Sequence, residues 1–336
     1  MKVLLTGGAG YIGTHTAVAL ASRGHEPVLL DDFSNSSPVA VNRVAEITGT
    51  TIPMVEGDAA DYDLVLTAMR EHSVDAVIHF AGLKAVGESV ANPLEYYRVN
   101  LGTALSTFRA MLAAGVQRLV FSSSATVYEN PAADLRELDA VGLKLENPYG
   151  RSKVMIESII RDAAAANPEL SVATLRYFNP IGAHPSGLIG EDPRGVPNNL
   201  LPYIAQVATG RRDRLRVFGD DYPTKDGTGV RDYIHVMDLA EGHVAALEAA
   251  EPGVLTLNLG SGVGSSVFDV LRAFESVVGR PIPYEVVARR PGDAAETVAD
   301  PGEAIARLGW RTRRSLEEAV RDTWNWQRRN PDGYSA

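Results

Sequence analysis

Three groups of residues in this sequence combine types and spacings that could do chemistry. The first is Gly7-Gly8-Ala9-Gly10-Tyr11-Ile12-Gly13, which reads as Gly-x-x-Gly-x-x-Gly and, from Gly8, as Gly-x-Gly-x-x-Gly. Glycines so placed allow a tight turn and a close backbone approach, while the free N–H groups of a following helix attract a pyrophosphate. The second is Asp31, which follows Gly13 at close to the roughly 20-residue spacing where a carboxylate meets the ribose hydroxyls of a dinucleotide. An acid there repels a 2′-phosphate, which favours NAD over NADP; Asp32 could share the task. The third is Tyr149 with Lys153, one helical turn apart, downstream of the run Ser122-Ser123-Ser124. An ammonium beside a phenol favours the phenolate and makes it a usable base near neutral pH. A serine such as Ser124 could hold the hydroxyl being deprotonated, or equally cap a helix or fill a turn. The Tyr–Lys spacing alone decides little, since roughly one chain in six of this composition would carry it by chance.

These groups need elements to position them. Lys2–Thr6 reads as a strand and Tyr11–Ser22 as a helix stopped by Gly24, which puts the glycine run at a strand-to-helix turn. Further strands are expected at Pro27–Asp31, Thr51–Val55, Ala76–Phe80, Arg118–Ser122 and Ser171–Tyr177. Long helices are expected over Pro93–Ala114 and from Pro148 to the Asn167-Pro168 stop. Near-continuous apolar strands alternating with helices imply an α/β fold with a doubly wound parallel sheet, Rossmann-like, covered by helices on both faces. Asp58, after the third strand, could reach an adenine ring or serve as a helix N-cap. Beyond Pro180 the alternation lapses, and 179–199 reads as loops over the strand ends. Helices near Leu200–Thr209, Val236–Ala250, Val267–Val278 and Ser315–Arg329 and a strand at Val254–Leu259 follow. Residues 1–180 thus form a cofactor domain to which segments near 230–260 return, and 181–336 is mainly a smaller mixed α/β domain for substrate. The polar end of the chain reads as a tail rather than a site.

Composition narrows the partners. The 336 residues include 32 Lys and Arg against 42 Asp and Glu, a net charge of −10. That argues against a nucleic-acid or anionic-membrane binder, which needs clustered cations. Zero cysteine excludes disulfides, a thiolate nucleophile and Cys-based metal sites. No metal is expected, and a cytoplasmic setting suits such a chain. The amino terminus lacks a signal-peptide apolar region, and no run of about 18 apolar residues is present.

Taken together, the motifs resemble the extended short-chain dehydrogenase/reductase family and, within it, the UDP-glucose (UDP-galactose) 4-epimerases. The resemblance rests on the glycine run, on His79-Phe80-Ala81-Gly82-Leu83-Lys84-Ala85-Val86-Gly87-Glu88-Ser89, on Ser122 to Tyr128 and on Pro148-Tyr149-Gly150-Arg151-Ser152-Lys153. In the second half, Arg176 to Gly187, Pro197-Asn198-Asn199-Leu200 and Gly229 to Val236 resemble the same enzymes. The resemblance implies tightly held NAD, a proton taken from the sugar 4-hydroxyl by Tyr149, and a transient 4-keto sugar. Lys153 would hold the nicotinamide ribose and lower the tyrosine pKa, and Ser124 would position the hydroxyl. It implies cofactor contacts at Gly7, Gly10, Tyr11, Ile12, Gly13, Asp31, Asn35, Asp58, Ala59, Phe80, Ala81, Gly82, Lys84, Ser122, Tyr149, Lys153, Tyr177 and Phe178. Asn100 joins them, in a segment one residue shorter than the family's usual spacing. UDP-sugar contacts are implied at Lys84, Ser124, Tyr149, Asn179, Asn199, Leu200, Phe218, Arg231, Arg290, Asp293 and Thr297. Arg231 and Arg290 would meet the pyrophosphate, whereas Arg289 is expected in a surface salt bridge.

Two departures matter. Tyr128-Glu129 replaces the family's Tyr-Gly, which is expected to alter a loop. Thr297 stands where some members carry tyrosine, and the smaller side chain leaves room for a 2-acetamido group, so UDP-GlcNAc and UDP-GalNAc are expected substrates too. A nucleotide-sugar 4,6-dehydratase shares the glycine loop, Tyr149 and Lys153 but needs an Asp-Glu pair where this chain has Ala125-Thr126. A non-catalytic NAD-binding regulator would have no use for Tyr149, Lys153 and the arginines together. Similar enzymes pair two long helices per subunit, so a homodimer through Pro93–Ala114 and Tyr149–Ala166 is expected.

Overall fold

Short apolar runs punctuated by glycine and proline become the strands of the computed structural model, which describes residues 1–290 and 292–334. The first half runs β1 (Lys2–Thr6), α1 (Tyr11–Ser22), β2 (Glu26–Asp31), α2 (Pro38–Thr48), β3 (Met54–Glu56), α3 (Tyr62–Glu71), β4 (Ala76–His79), α4 (Val86–Ala91), α5 (Pro93–Ala114), β5 (Arg118–Ser124), a 3-10 turn (Ala125–Val127), α6 (Pro148–Ala166) and β6 (Ser171–Tyr177). The second half runs β7 (Asn179–Ile181), α7 (Leu200–Ala208), β8 (Leu215–Phe218), β9 (Val230–His235), α8 (Val236–Glu248), β10 (Gly253–Leu259), β11 (Gly264–Ser266), α9 (Val267–Val278), β12 (Tyr284–Val287), β13 (Glu296–Thr297), α10 (Gly302–Leu308) and α11 (Leu316–Arg329).

Seven strands form one parallel sheet in the order β10-β6-β5-β4-β1-β2-β3. Alternation along each strand feeds two cores. Val3 and Leu5 pack with Val18, Val44 and Leu239 from α1, α2 and α8, while Leu4 packs with Met69, Phe108 and Ile156 from α3, α5 and α6. The fold is therefore a doubly wound, Rossmann-like α/β sheet. The chain returns to it late, when α8 packs on α1 and β10 pairs with β6. A third core of Ile181, Leu201, Val217, Phe274 and Val320 underlies a smaller part, in which β9 is flanked by β11 and β13 and also pairs with β7, and β12 pairs with β8. Among the described residues no helix is long and apolar enough to cross a membrane.

Local chemistry sets the helix ends. Ser37 caps α2, Pro93 opens α5, and Gly49, Gly115 and Gly279 close α2, α5 and α9 in the left-handed region. Ser266 with Asp269, and Ser315 with Glu318, form capping boxes.

The structure corrects several expectations. The third strand starts at Met54 rather than Thr51, because Pro53 has no N–H for the ladder. β5 runs on to Ser124, since its pairing with β6 continues to the Ser124–Tyr177 register. Within 179–199, Asn179–Ile181 is a strand and only the remainder is loop. The chain end is packed rather than loose as far as Tyr334, whose hydroxyl bonds to Gly190.

Because the seven strands run the same way, β1, β2, β4, β5 and β6 all end at one edge of the sheet. There the glycine run, Asp31, Phe80, Ser124 and Tyr177 come together, at the edge where open α/β sheets hold ligands.

Candidate active site

The glycine run leaves β1 and enters α1, and its glycines do different jobs. Gly7 has φ +68°, and a Cβ there would lie 2.8 Å from the Ala81 nitrogen, so only glycine lets the loop lie against the end of β4. At Gly13 a Cβ would lie 2.7 Å from the carbonyl oxygens of Gly7 and Gly8. Gly10 is the N-cap of α1 and offers no side-chain cap, and the first turn holds no acid. The first-turn N–H groups, those of Tyr11, Ile12 and Gly13, therefore stay available to an anion. The side chain of Tyr11 instead donates to the Gly182 carbonyl at 2.7 Å.

Asp31 and Asp32 are now distinguished. Asp31 is buried and turned toward the glycine loop, where its carboxylate accepts from the Ala9 N–H at 2.9 Å, the Phe33 N–H at 3.0 Å and the Ser36 hydroxyl at 2.7 Å. Asp32 is exposed and turns away to hold Ser34. Asn35 is exposed in the same turn. Asp58 is exposed and accepts from the Ala60 N–H at 2.8 Å, and the N-cap of α3 is Asp61, so the capping alternative for Asp58 falls away. Ala59 is buried next to it. These groups fit a dinucleotide: an uncapped helix N-terminus for phosphates and a carboxylate where a 2′-phosphate would be repelled.

At the next strand end, Phe80 packs against His243, with ring centroids 5.0 Å apart, and Ala81 and Gly82 follow. Asn100 is buried and braces this turn. It accepts from the Leu83 N–H at 2.7 Å and donates to the Leu83 carbonyl and to the Ser152 hydroxyl. Both of its donor hydrogens are thus engaged by the chain itself.

Tyr149, Lys153 and Ser124 meet at the end of β5 and the first turns of α6, all buried. Asn147 caps that helix and Pro148 opens it, which fixes the direction in which the tyrosine and lysine leave it. Lys153 Nζ donates to the Ser122 carbonyl at 2.7 Å and lies 5.8 Å from the Tyr149 ring centroid. The Ser122 hydroxyl bonds to the Tyr177 hydroxyl, so these two expected cofactor contacts also hold one another. Ser124 caps the 3-10 turn by accepting from Thr126, and its hydrogen bond with Tyr149 favours the phenolate. Of the roles weighed for Ser124, the structure shows the cap on the turn. The expected depression of the tyrosine by Lys153 is not what the protein alone produces. Burial pushes the Tyr149 phenol above its ordinary value, against the Ser124 bond. Burial also lowers Lys153 to about 8, opposed by Glu157. Desolvation is the largest effect on both groups.

Most of the remaining residues expected to meet the sugar nucleotide lie on the smaller part. Asn179 opens β7 two residues after Tyr177 and pairs with Tyr233 on β9, which joins the two sheets. Arg231 of β9 pairs with Asp293 and is in register with Thr297 of β13, so the two share a face. The Arg290 guanidinium lies 3.9 Å from the Phe218 ring centroid. Arg289 makes the expected surface salt bridge, to Asp221 at 2.6 Å. Pro291, between these groups, lies outside the described residues. Asn199 donates to Glu191 at 2.6 Å, and Lys84 is 3.5 Å from the same carboxylate. Leu200 is half-buried at the start of α7. Phe178 is buried at the junction of the sheets.

Sequence reasoning missed two acids. Glu191 joins Lys84 to Asn199, and no local pattern announces it. Glu157 forms a buried pair with Arg176, with contacts at 3.0 and 2.7 Å, and accepts from the Ser123 hydroxyl at 2.6 Å. It stands one turn beyond Lys153 on the same helix face, a spacing that could have drawn attention. Tyr128 is buried and bonds to Asn258, while Glu129 is confined to the adjoining loop.

Comparison with known proteins gives the same picture. Residues 3–260 match the model of the NAD dependent epimerase/dehydratase family. UDP-glucose 4-epimerase of Bacillus subtilis strain 168 is 55% identical over 338 residues, spanning 100% of this chain and 99% of that enzyme. The crystal structure of UDP-glucose 4-epimerase from Bifidobacterium longum in complex with NAD+ and UDP superposes with a TM-score of 0.96 at 49% identity, covering 99% of this chain and 100% of that one. A Stenotrophomonas maltophila UDP-glucose-4-epimerase with bound NAD and formylated UDP-arabinopyranose gives 0.95 at 49% identity, covering 98% and 99%.

Proposed function

The chain belongs to the NAD dependent epimerase/dehydratase family, and from that premise we propose that it interconverts UDP-glucose and UDP-galactose at C4. The observation that carries this reading is the meeting of Tyr149, Lys153 and Ser124 at the sheet edge that also carries the glycine loop. Bound NAD supplies a reversible hydride store and a positive charge, so C4 can be oxidised and reduced again with no net redox change. Tyr149 takes the proton from the sugar 4-hydroxyl and returns it, Ser124 orients that hydroxyl, and Lys153 holds the nicotinamide ribose. Burial raises the phenol, and the positive charge of a bound cofactor would favour its ionised form. Gly10 and the first turn of α1 receive the cofactor pyrophosphate, and Asp31 receives a ribose. Arg231 and Arg290 hold the UDP phosphates, and Asn179, Asn199, Leu200 and Phe218 shape the rest of the pocket.

Residues 1–180 with the returning α8 and β10 serve the cofactor, and the remainder serves the sugar nucleotide. A dehydratase reading lacks its acid and base, because Ala125 and Thr126 fill the turn where they would stand. Thr297, beside Arg231, leaves space for a 2-acetamido group, so UDP-GlcNAc and UDP-GalNAc are substrates as well. The enzyme works in the cytoplasm as a homodimer. Leu94, Leu105 and Leu112, with exposures of 81%, 44% and 46%, supply an apolar stripe on α5 for the partner.

Purified protein incubated with UDP-galactose and no added NAD tests the reading. UDP-glucose should form; its absence even after NAD+ is added overturns the proposal.

A further inference from the structure

The segment between β7 and α7 reaches both ends of the proposed cofactor site. At one end Arg194 donates to the carbonyl oxygens of Ser34, Phe33 and Ser36 at 2.7, 2.9 and 3.0 Å. These carbonyls belong to the turn that follows Asp31 and carries Asn35. The same turn is gripped from inside, where the Asp31 carboxylate accepts from the Phe33 N–H and the Ser36 hydroxyl. Phe33 sits at φ +56°, a conformation that a bulky residue adopts only when its surroundings hold it there. At the other end, Glu191 holds Asn199 and Lys84, the latter on the loop after β4. The segment is itself anchored. Arg43 of α2 donates to the Leu188 carbonyl at 2.9 Å, and Asp192 accepts from the Tyr334 N–H at 2.8 Å.

We propose that residues 191–194 form a strap across the cofactor, and that Arg194 is a positioning residue whose hold on the 33–36 turn keeps NAD from leaving between turnovers. The inference rests on the epimerase reading, in which Asp31 and Asn35 hold the adenosine end. Release at that end requires the turn to open, and opening breaks the Arg194 bonds. The planar guanidinium can serve three diverging carbonyls at once, which a lysine ammonium on a flexible stem does less well. An epimerase regenerates its NAD in every cycle, so holding it costs the reaction nothing. Because Glu191 on the same segment holds Asn199, a bound sugar nucleotide tightens the strap.

The test compares R194M and R194K with the native holoenzyme. Released NAD+ is followed with a coupled dehydrogenase, with and without UDP, and bound NAD is counted after gel filtration. R194M should release NAD roughly tenfold faster, as expected for losing charge-assisted hydrogen bonds. R194K should fall between, and UDP should slow release more in the native protein than in R194M. The melting temperature of the cofactor-free protein should fall only slightly, since Arg194 is exposed and its bonds contribute little to global stability. A release rate for R194M within about twofold of native overturns the strap while leaving the epimerase reading intact. An equal loss of stability in the cofactor-free protein also overturns it, by making Arg194 a general structural tie. Native protein that neither carries nor takes up NAD overturns both readings.

Discussion

Around the glycine loop the chain provides for itself, whereas on the smaller part the arginines rest on stand-ins. Gly7 and Gly13 are shaped by backbone contacts, and Asp31 and Asn100 are fastened to the chain by several bonds each. Arg231 leans on Asp293 and Arg290 on the Phe218 ring. On the proposed reading, an incoming UDP exchanges these partners. A site preorganised by backbone holds its ligand with little reorganisation, while one built from exchangeable side-chain pairs binds and releases. This is the division that an enzyme with a resident cofactor and a transient substrate requires.

That comparison can be broken at several points. Tyr149→Phe removes the proposed base and keeps the ring that packs in the site, so kcat should fall by about 1,000-fold while the NAD content after gel filtration stays unchanged. Gly7→Ala attacks the backbone-built side. The added Cβ meets the Ala81 nitrogen at a left-handed φ, and urea unfolding should show a loss of about 3 kcal/mol with reduced NAD content. Arg231→Ala attacks the exchangeable side and should raise KM for UDP-galactose roughly 30-fold with bound NAD retained. Arg289→Ala, which removes only the exposed salt bridge to Asp221, should leave KM within about twofold.

A pH experiment sharpens the boundary between the two regions. Lys153 titrates at about 8 in the folded protein against an ordinary 10.5, because burial disfavours its charge. Between those values the unfolded chain binds more protons, so the stability of the cofactor-free protein should rise with pH from about 8 toward 10.5. Lys153→Met should abolish that rise in thermal melts recorded across the window. A further change concerns specificity: Thr297→Tyr should cut kcat/KM for UDP-GalNAc about tenfold or more and leave UDP-galactose near native values.

Much of this was legible in the residues. The bounds of β1, α1, α5, β6 and α9 follow from apolar runs, prolines and stop glycines, and the placing of the glycine loop and the Tyr149–Lys153 pair follows with them. The short strands β8, β9 and β11 to β13 were not legible, because their half-exposed residues give no continuous apolar run and their partners are distant in sequence. The balance of forces on Tyr149 was also hidden, since spacing shows the lysine nearby but not how dry both groups are.

By itself, then, the sequence determined the alternating parallel fold, the strand-to-helix turn suited to a pyrophosphate and the pairing of Tyr149 with Lys153 on one helix face. Each of these depends on neighbours within a few turns of chain. Only the tertiary structure decided that Asp31 rather than Asp32 faces the glycine loop, that Asn100 braces the turn at Leu83, that Glu157 sits beneath the active site with Arg176, and that Arg194 closes over the 33–36 turn. These are contacts between segments that only folding brings together, and their strength depends on burial and direction, which no spacing along the chain records.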